Sequence, residues 1–377
     1  MDPTVQGRWP RLLGASRTGV LARAKRLQLL LSALAASALA VACGGGGSGG
    51  GSSGPWQVAP ENPIQTPPPA VTGTVVLKPP VLSFTDTGLS VTDGVTRIGA
   101  WQVSSLVGWE YSLDQGKSWI RGQGDFFDVT GDGAKMIWVR ARDDAGNLSE
   151  IVMVTCVLDT MPPAPIEVTA DPAGLTQVLR LGGLESGARW EYSLDDRKSW
   201  LAGSGPGLGI MGNGLAGVWL RQLDIAGNVS QPRWFALESP PAATAHEASG
   251  NPMMPSTLTV QGLQTLVLHG SVVRGDADYV RWQIPDGSRI ASLRLVHYVS
   301  DDPIAFYALQ RATVFDAGVD VTRMLVYGHV GPPDLLRNVL AAAPAQALGA
   351  GPMTLWFQQT GVAPTNYAIE LVFAPAQ

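Results

Sequence analysis

From residue 72 onward, apolar and polar positions alternate in short runs, and Gly, Pro, Asn or Asp interrupts them about every ten residues. Trp109-Glu110-Tyr111-Ser112-Leu113-Asp114 predicts a strand with Trp109, Tyr111 and Leu113 on its apolar face. The DQGK at its end predicts a tight turn, and SWIRG a returning strand, giving a hairpin. MIWVRARD predicts a second alternating strand, with Trp138 expected on the buried face across from Trp109. The DAGN after it predicts a turn, because Asp and Asn bond local backbone donors and Gly supplies a positive φ.

This pattern occurs twice, 81 residues apart and without a gap between residues 109 and 149. WEYSLD at 109–114 returns at 190–195, Ser118-Trp119 as Ser199-Trp200, and Trp138 and Arg140 as Trp219 and Arg221. Asp143-x-Ala145-Gly146-Asn147 returns as Asp224-x-Ala226-Gly227-Asn228, so the chain contains a duplicated module. Two units of about 80 residues, each strand-rich and turn-punctuated, predict β-sandwiches. By the same register Trp219 is expected to be buried across from Trp190.

Beyond a Pro/Ala-rich linker at 239–256 the repeat stops. TLTVQGLQTLVLHGSVV, DYVRWQIPDG, SRIASLRLVHYV, PIAFYALQ, GPMTLWFQQTG and NYAIELVF each predict strands, and a short helix is expected at 334–342. The fold class expected is therefore all-β: two tandem sandwiches and a third, jelly-roll-like one. Composition agrees, with 45 glycines, 28 prolines and 45% apolar residues, too interrupted for a helical bundle and too apolar for wholesale disorder.

Charge divides the chain. Arg8, Arg11, Arg17, Arg23, Lys25 and Arg26 stand against one acid, Asp2, in residues 1–42. With −5 overall, the remaining 335 residues carry −10, which excludes an electrostatic footprint for nucleic acid. The basic stretch precedes the uncharged run Leu27–Ala42, whose 16 residues are too short to span a bilayer as a helix and fit a signal-peptide core. Leu39-Ala40-Val41-Ala42-Cys43 resembles the bacterial lipobox, which implies that Cys43 is lipidated and becomes the mature N-terminus. The GGGGSGGGSSG that follows is a flexible tether, continuing to residue 71. Gly44 and Gly45 stand where the resemblance would place an inner-membrane retention aspartate, which points to the outer membrane, facing the periplasm or the surface. With Cys43 lipidated, Cys156 has no partner for an intramolecular disulfide and is expected as a buried strand cysteine.

Each duplicated unit resembles the bacterial immunoglobulin-like repeats of secreted adhesins, in W-x-Y-S-x-D, V-R-x-x-D-x-A-G-N-x-S and the linker Leu158-Asp159-Thr160-Met161-Pro162-Pro163. The first repeat then covers 72–158 and the second 159–238. The second has Glu238-Ser239-Pro240 in place of the linker acid, so its junction to the last domain is expected to be looser. Asp276-Ala277-Asp278-Tyr279, Pro285-Asp286-Gly287 and Asn366-Tyr367-Ala368-Ile369 in 257–377 resemble the bacterial pre-peptidase C-terminal domain, a sandwich appended to secreted enzymes that does no chemistry itself.

These resemblances imply a lipid-anchored envelope protein, non-catalytic, whose modules serve as stalk and as binding or adhesion surface for a carbohydrate or protein ligand. The alternatives are a carbohydrate-binding accessory to a hydrolase, and a hydrolase with its site in 257–377. Trp119 and Trp200, directly after hairpin turns, are the candidate ligand-stacking residues. The hydrolase would need His297 or His329 beside Asp301 or Asp302. The adhesin resemblance also implies calcium at the junction between repeats, with Asp143, Asp144, Asn147 and Asp159 as oxygen donors. The alternative there is that Asp143 and Asn147 close their own turn.

Three further motifs carry less. Ser112-x-Asp114-x-Gly116-x-x-Trp119 matches the Asp-box of sialidase propellers, itself a structural hairpin, and two units are too few for a propeller. Gly207-x-Gly209-x-x-Gly212 spells the dinucleotide fingerprint with no helix after it and is expected as a loop. Gly46-x-Ser48-x-Gly50 falls inside the glycine tract, which cannot hold a nucleophile elbow.

Metabolic labelling with radioactive palmitate tests the anchor. Label should follow the protein and vanish in Cys43→Ser, since each buried CH₂ contributes ~0.8 kcal/mol and two chains make attachment stable. Labelling that survives the substitution contradicts it.

Overall fold

The computed structural model describes residues 76–173, 176–212, 215–237, 247–260 and 262–376; Cys43 and the tether lie outside them. Regular structure among these residues is strand, apart from three 3-10 turns. The first repeat contains β1 (Val81–Phe84), β2 (Val95–Thr96), β3 (Ala100–Ser104), β4 (Trp109–Ser112), β5 (Ile120–Arg121), β6 (Phe126–Asp128), β7 (Gly133–Ala141) and β8 (Val152–Leu158). They form two sheets, β1-β3-β6 and β2-β8-β7-β4-β5, closed over an aromatic core of Trp101, Trp109 and Phe127 with Ile137, Val139 and Cys156.

The register of β7 reverses the expectation for Trp138. Ile137, Val139 and Ala141 are buried, while Trp138 and Arg140 share the opposite parity and face outward. Trp219 does the same in the second repeat, where Val218 and Leu220 turn inward. The physical reason is Arg140: burying a guanidinium costs far more than leaving an indole half exposed. Leu113, also expected inside, is 46% exposed.

The second repeat contains β9 (Glu167–Ala173), β10 (Thr176–Gly182), β11 (Arg189–Ser193), β12 (Leu201–Ala202), β13 (Gly207–Gly212), β14 (Gly217–Leu223) and β15 (Arg233–Ala236). Its four-stranded sheet is β12-β11-β14-β15. The Asp224–Asn228 turn of this repeat docks on the first repeat and its linker: Thr87 Oγ1 donates to the Ala226 carbonyl at 2.8 Å, and Asn228 Nδ2 to the carbonyl of the linker residue Asp159 at 2.8 Å. Ala226 is fully buried there. The equivalent turn of the first repeat, with Asp144 where the second has Ile225, is exposed at Ala145, Gly146 and Asn147.

The last domain contains β16 (Ser256–Thr257), β17 (Thr265–Val272), β18 (Ala277–Val299), β19 (Ala305–Gln310), β20 (Val326–Val330), β21 (Gly349–Gln359) and β22 (Thr365–Pro375). Pro285-Asp286-Gly287 does not end a strand, as the turn chemistry suggested, but bends one. The 23-residue β18 pairs with β21 before this point and mainly with β22 after it, with a register shift between Ile284 and Arg289. Both halves face one core, with Val280, Trp282 and Ile284 from the first and Ile290, Leu293 and Leu295 from the second. No helix forms at 334–342. That segment is a strap of turns, held where Asn338 receives the Leu293 amide and donates to the Ala291 carbonyl, and it buries Leu340 in the core.

The junction between second repeat and last domain is the reverse of loose. β13 pairs in parallel with β17 from Leu208↔Thr265 to Gly212↔His269, so β9, β10 and β13 extend the sheet β20-β19-β21-β18-β22-β17. The GxGxxG stretch is therefore a buried strand and not a loop. Its glycines admit the neighbouring strand: a Cβ on Gly209 would come within 2.9 Å of Leu263, and one on Gly212 within 1.6 Å of the His269 carbonyl oxygen. Both faces are covered, as parallel pairing generally requires. Met211, Leu266 and Leu268 join the core of the last domain, while Leu208, Ile210, Val267 and Ala368 join that of the second repeat.

One buried charge bridges the two. Glu370 is fully buried on β22, accepts the Tyr192 hydroxyl at 2.8 Å and pairs with Arg294 of β18, whose Nε lies at 2.7 Å. Tyr192 and Glu370 are both fully buried, so removing either leaves the other's polar group short of a partner away from water. In denaturant titrations Glu370→Ala should cost about 3–5 kcal/mol, and Tyr192→Phe about 2 kcal/mol, as for a hydrogen bond to a charged group. A Glu370→Ala protein within 1 kcal/mol of the parent would mean that this network does not hold the junction.

Candidate functional site

The hairpin after each WEYS strand positions the tryptophans of interest. Asp114 Oδ1 accepts both the Ser118 amide at 2.9 Å and the Ser112 hydroxyl at 2.8 Å, while its Oδ2 accepts the Ser118 hydroxyl at 2.6 Å. These bonds, the Ser118 hydroxyl first, hold its carboxyl down at about 2. Asp195, Ser193 and Ser199 repeat the arrangement. The Asp-box spacing is thus the closure of a hairpin.

Each hairpin delivers a tryptophan to the outer face of the sheet, beneath an arginine. The Arg140 guanidinium lies 3.7 Å over the Trp119 ring, and that of Arg221 lies 3.9 Å over Trp200. Each arginine is fixed by a glutamate, Glu110 at 2.6 Å and Glu191 at 2.6 Å. Burial pushes the Glu110 carboxyl up, but Arg140 and Arg142 outweigh that and hold it below its ordinary value. Trp119 and Trp200, the expected stacking residues, are therefore half-buried and each covered on one face by a guanidinium.

Beyond these stacks the two repeats diverge. Trp219 pairs across strands with Trp234, ring centroids 5.3 Å apart, whereas Trp138 faces Met153 at the equivalent place. Trp234 lies against the backbone of Gly217, where a Cβ would come within 2.3 Å of its ring, and it remains 42% exposed. At the hairpin tip the first repeat has Gly116 at φ 82°, and the second has Arg197 at φ 67°. A left-handed conformation costs a side-chain-bearing residue about 1 kcal/mol relative to glycine. Arg197 occupies it and places its guanidinium 4.4 Å over the Trp219 ring, while the Trp219 indole N–H donates to Asp196 at 3.0 Å. Alternation alone places Trp219 in the core, so it does not bring Arg197, Trp219 and Trp234 together as one face. The parity of Arg221 with Trp219 could have corrected that.

The four calcium candidates do not converge. Asp143 receives the Asn147 amide at 2.8 Å and Nδ2 at 2.7 Å, closing its own turn at the Ala141 end of β7. Asp144 is solvated, 3.7 Å from Arg121. Asp159 lies at the opposite end of β7, where Leu158 pairs with Gly133, roughly 25 Å away at ~3.3 Å per residue. Its carboxylate accepts the Met161 amide at 3.1 Å. The junction between the repeats is held by Asn228 on the Asp159 carbonyl instead.

Of the residues a hydrolase would need, His297, His329 and Asp302 each make other contacts. His297 stacks on His269 at 6.3 Å, with burial pushing its imidazole below its ordinary range. His329 meets the edge of Phe306 at 5.7 Å, and Asp302 is spent on the Ala363 amide at 2.5 Å. A cleft of about 440 Å³ in the first repeat, lined by Ser83, Gln102, Ser104, Trp109 and Asp125, brings no acid–base pair together.

No family model and no curated protein matches the sequence. Solved structures that resemble the fold include carbohydrate-binding modules of the β-sandwich superfamily, at 7% identity and TM-score 0.19, covering 80% of this chain and 94% of that one. The chicken CNTN1 FN1–FN3 domains align at 11% identity and TM-score 0.17, covering 71% and 93%. A tetra-tandem repeat from the extending region of a large adhesion protein aligns at 11% identity and TM-score 0.16, covering 74% and 71%. All are chains of β domains, which is the extent of the likeness.

One buried acid titrates in an accessible range. Asp278 is 2% exposed; its Oδ2 accepts the Tyr367 hydroxyl at 2.5 Å and its Oδ1 has no partner among the described residues. Burial foremost, with Asp276 and Glu247 adding to it against the Tyr367 bond, raises its carboxyl from 3.8 to about 7. The folded state thus holds this proton where the unfolded chain has lost it, so Asp278 lowers stability as pH climbs from about 4 to about 7 and no further above that. Thermal melts across this window should show that decline, and Asp278→Asn should abolish it and raise the Tm at pH 8. Parallel profiles for the two proteins would contradict the assignment.

Proposed function

We propose that this chain is a non-catalytic binding protein of the cell envelope. In this reading lipid on Cys43 anchors it, residues 43–71 give it reach, the first repeat is a spacer, and the second repeat joined to the last domain is the receptor. Two acyl chains give stable anchoring without a membrane-spanning helix.

The observation that carries the reading is the outer face of the second repeat. It presents the open Trp234 indole beside Trp219, backed by strands that cannot shift without disturbing the shared cores. A rigid indole set flat against a strand suits the apolar C–H face of a sugar ring, so carbohydrate is the ligand class it favours. The first repeat, with Met153 in place of Trp234, lacks that platform.

A glycan array probed with the chain from residue 44 onward tests this. Retention on a defined set of glycans is expected, falling at least tenfold in Trp234→Met, a residue the homologous position already tolerates. Absence of retention, or retention indifferent to Trp234→Met, would contradict it.

A further inference from the structure

The comparison between the two repeats supports a more specific statement about the ligand, which rests on the binding role proposed above. The first repeat shows what the hairpin needs in order to fold. Gln115 and Gly116 take φ 61° and 82°, with glycine at the second position, and the hydroxyl of Ser112 receives the Gly116 amide at 2.8 Å. The second repeat keeps this backbone, with Asp196 and Arg197 at φ 56° and 67° and the Arg197 amide on Ser193 at 2.9 Å. Nothing in the hairpin's own hydrogen bonding calls for arginine. What the side chain adds lies outside the hairpin, on the aromatic face.

There the guanidinium covers Trp219 and is half exposed, and its one carboxylate neighbour among the described residues, Asp196, stands at 4.0 Å, beyond hydrogen-bond distance. Asp196 is itself occupied by the Trp219 indole N–H. Arg221, by contrast, is closed off by Glu191 at 2.6 Å and is 23% exposed. The face therefore presents an open indole, Trp234, and a planar cation with donors unspent, each at a position where the first repeat has a residue unable to do the same, Met153 and Gly116. An indole takes the face of a sugar ring, and a guanidinium takes a carboxylate through two parallel hydrogen bonds.

We propose that the outer face of the second repeat binds an acidic polysaccharide, with Trp234 stacking on a pyranose ring and Arg197 pairing with the carboxylate of a uronic acid. Arg197 is then the residue that distinguishes acidic from neutral sugar, and Trp234 the residue that binds either.

Polygalacturonate and its methyl ester test this directly, since they share one backbone and differ in the charge. In affinity electrophoresis the chain from residue 44 onward should be retarded by polygalacturonate, and about tenfold less by the ester. Arg197→Gly restores the residue that the first repeat carries in this turn, so the fold is kept and the Tm should hold or rise. It should bring binding of the acid down to that of the ester, whereas Trp234→Met should weaken both. Equal retardation by acid and ester, both sensitive to Trp234→Met, would overturn the role of Arg197 and leave the binding face standing. No retardation by either polymer would overturn the acidic-sugar inference, and the glycan array would then decide the binding role separately. Unchanged discrimination in a folded Arg197→Gly protein would overturn it as well.

Discussion

The parallel pairing of β13 with β17 is the constraint on which the rest of the described structure depends. A parallel pair is stable only when both faces are dry, and here each face belongs to a different core. Met211 and Leu266 look into the last domain while Ile210 and Val267 look into the second repeat, so neither core closes without the other. Glu370 adds a penalty for separation, because withdrawing Tyr192 would leave a fully buried carboxylate short of a donor. The sheet β12-β11-β14-β15 packs over this shared core, and its outer side carries the tryptophan face. Stiffness there is inherited from a junction on the other side of the sandwich.

Duplication followed by divergence explains why two similar repeats do different things. The strand that becomes β13 corresponds to β6, only three residues long and carrying Asp128 where β13 has Gly209. A short, charged edge of that kind resists pairing, so the first repeat keeps its own three-stranded sheet. Gln222, in place of Ala141, bridges the Ala164 and Gly183 carbonyls and the Glu185 amide, where the first repeat pairs β1 with β3 directly. The Asp-x-Ala-Gly-Asn turn shows the same economy of parts: the five-residue pattern closes the same loop twice, and in the second copy the loop is also the seat on the preceding module.

Much of this was legible in the sequence where short-range rules apply. The all-β class, the 81-residue register, the hairpins and most strands of the last domain followed from alternation and turn chemistry. The errors fall where a local pattern had two solutions. In MIWVRARD both parities are apolar until Arg140 is counted, and counting it places Trp138 outside. The glycines of Gly207–Gly212 suggest a loop, whereas in the fold they admit a strand from 57 residues further on. Pro285-Asp286-Gly287 has turn chemistry and still bends a continuous strand, because the core on both sides is one. The Tyr192–Glu370 contact spans 178 residues and leaves no local trace. The face at Trp234 and Arg197 is of the same kind: each residue is unremarkable alone, and only the comparison with Met153 and Gly116 sets them apart.

Native-state hydrogen exchange tests the shared body most directly. Amides of Gly207–Gly212 and Thr265–Val272 should exchange as slowly as those of the central strand Thr365–Pro375, since opening the junction means opening both cores. Fast exchange in β13 and β17, with β22 and β11 still protected, would contradict the account, because the two units would then be separate folds in loose contact.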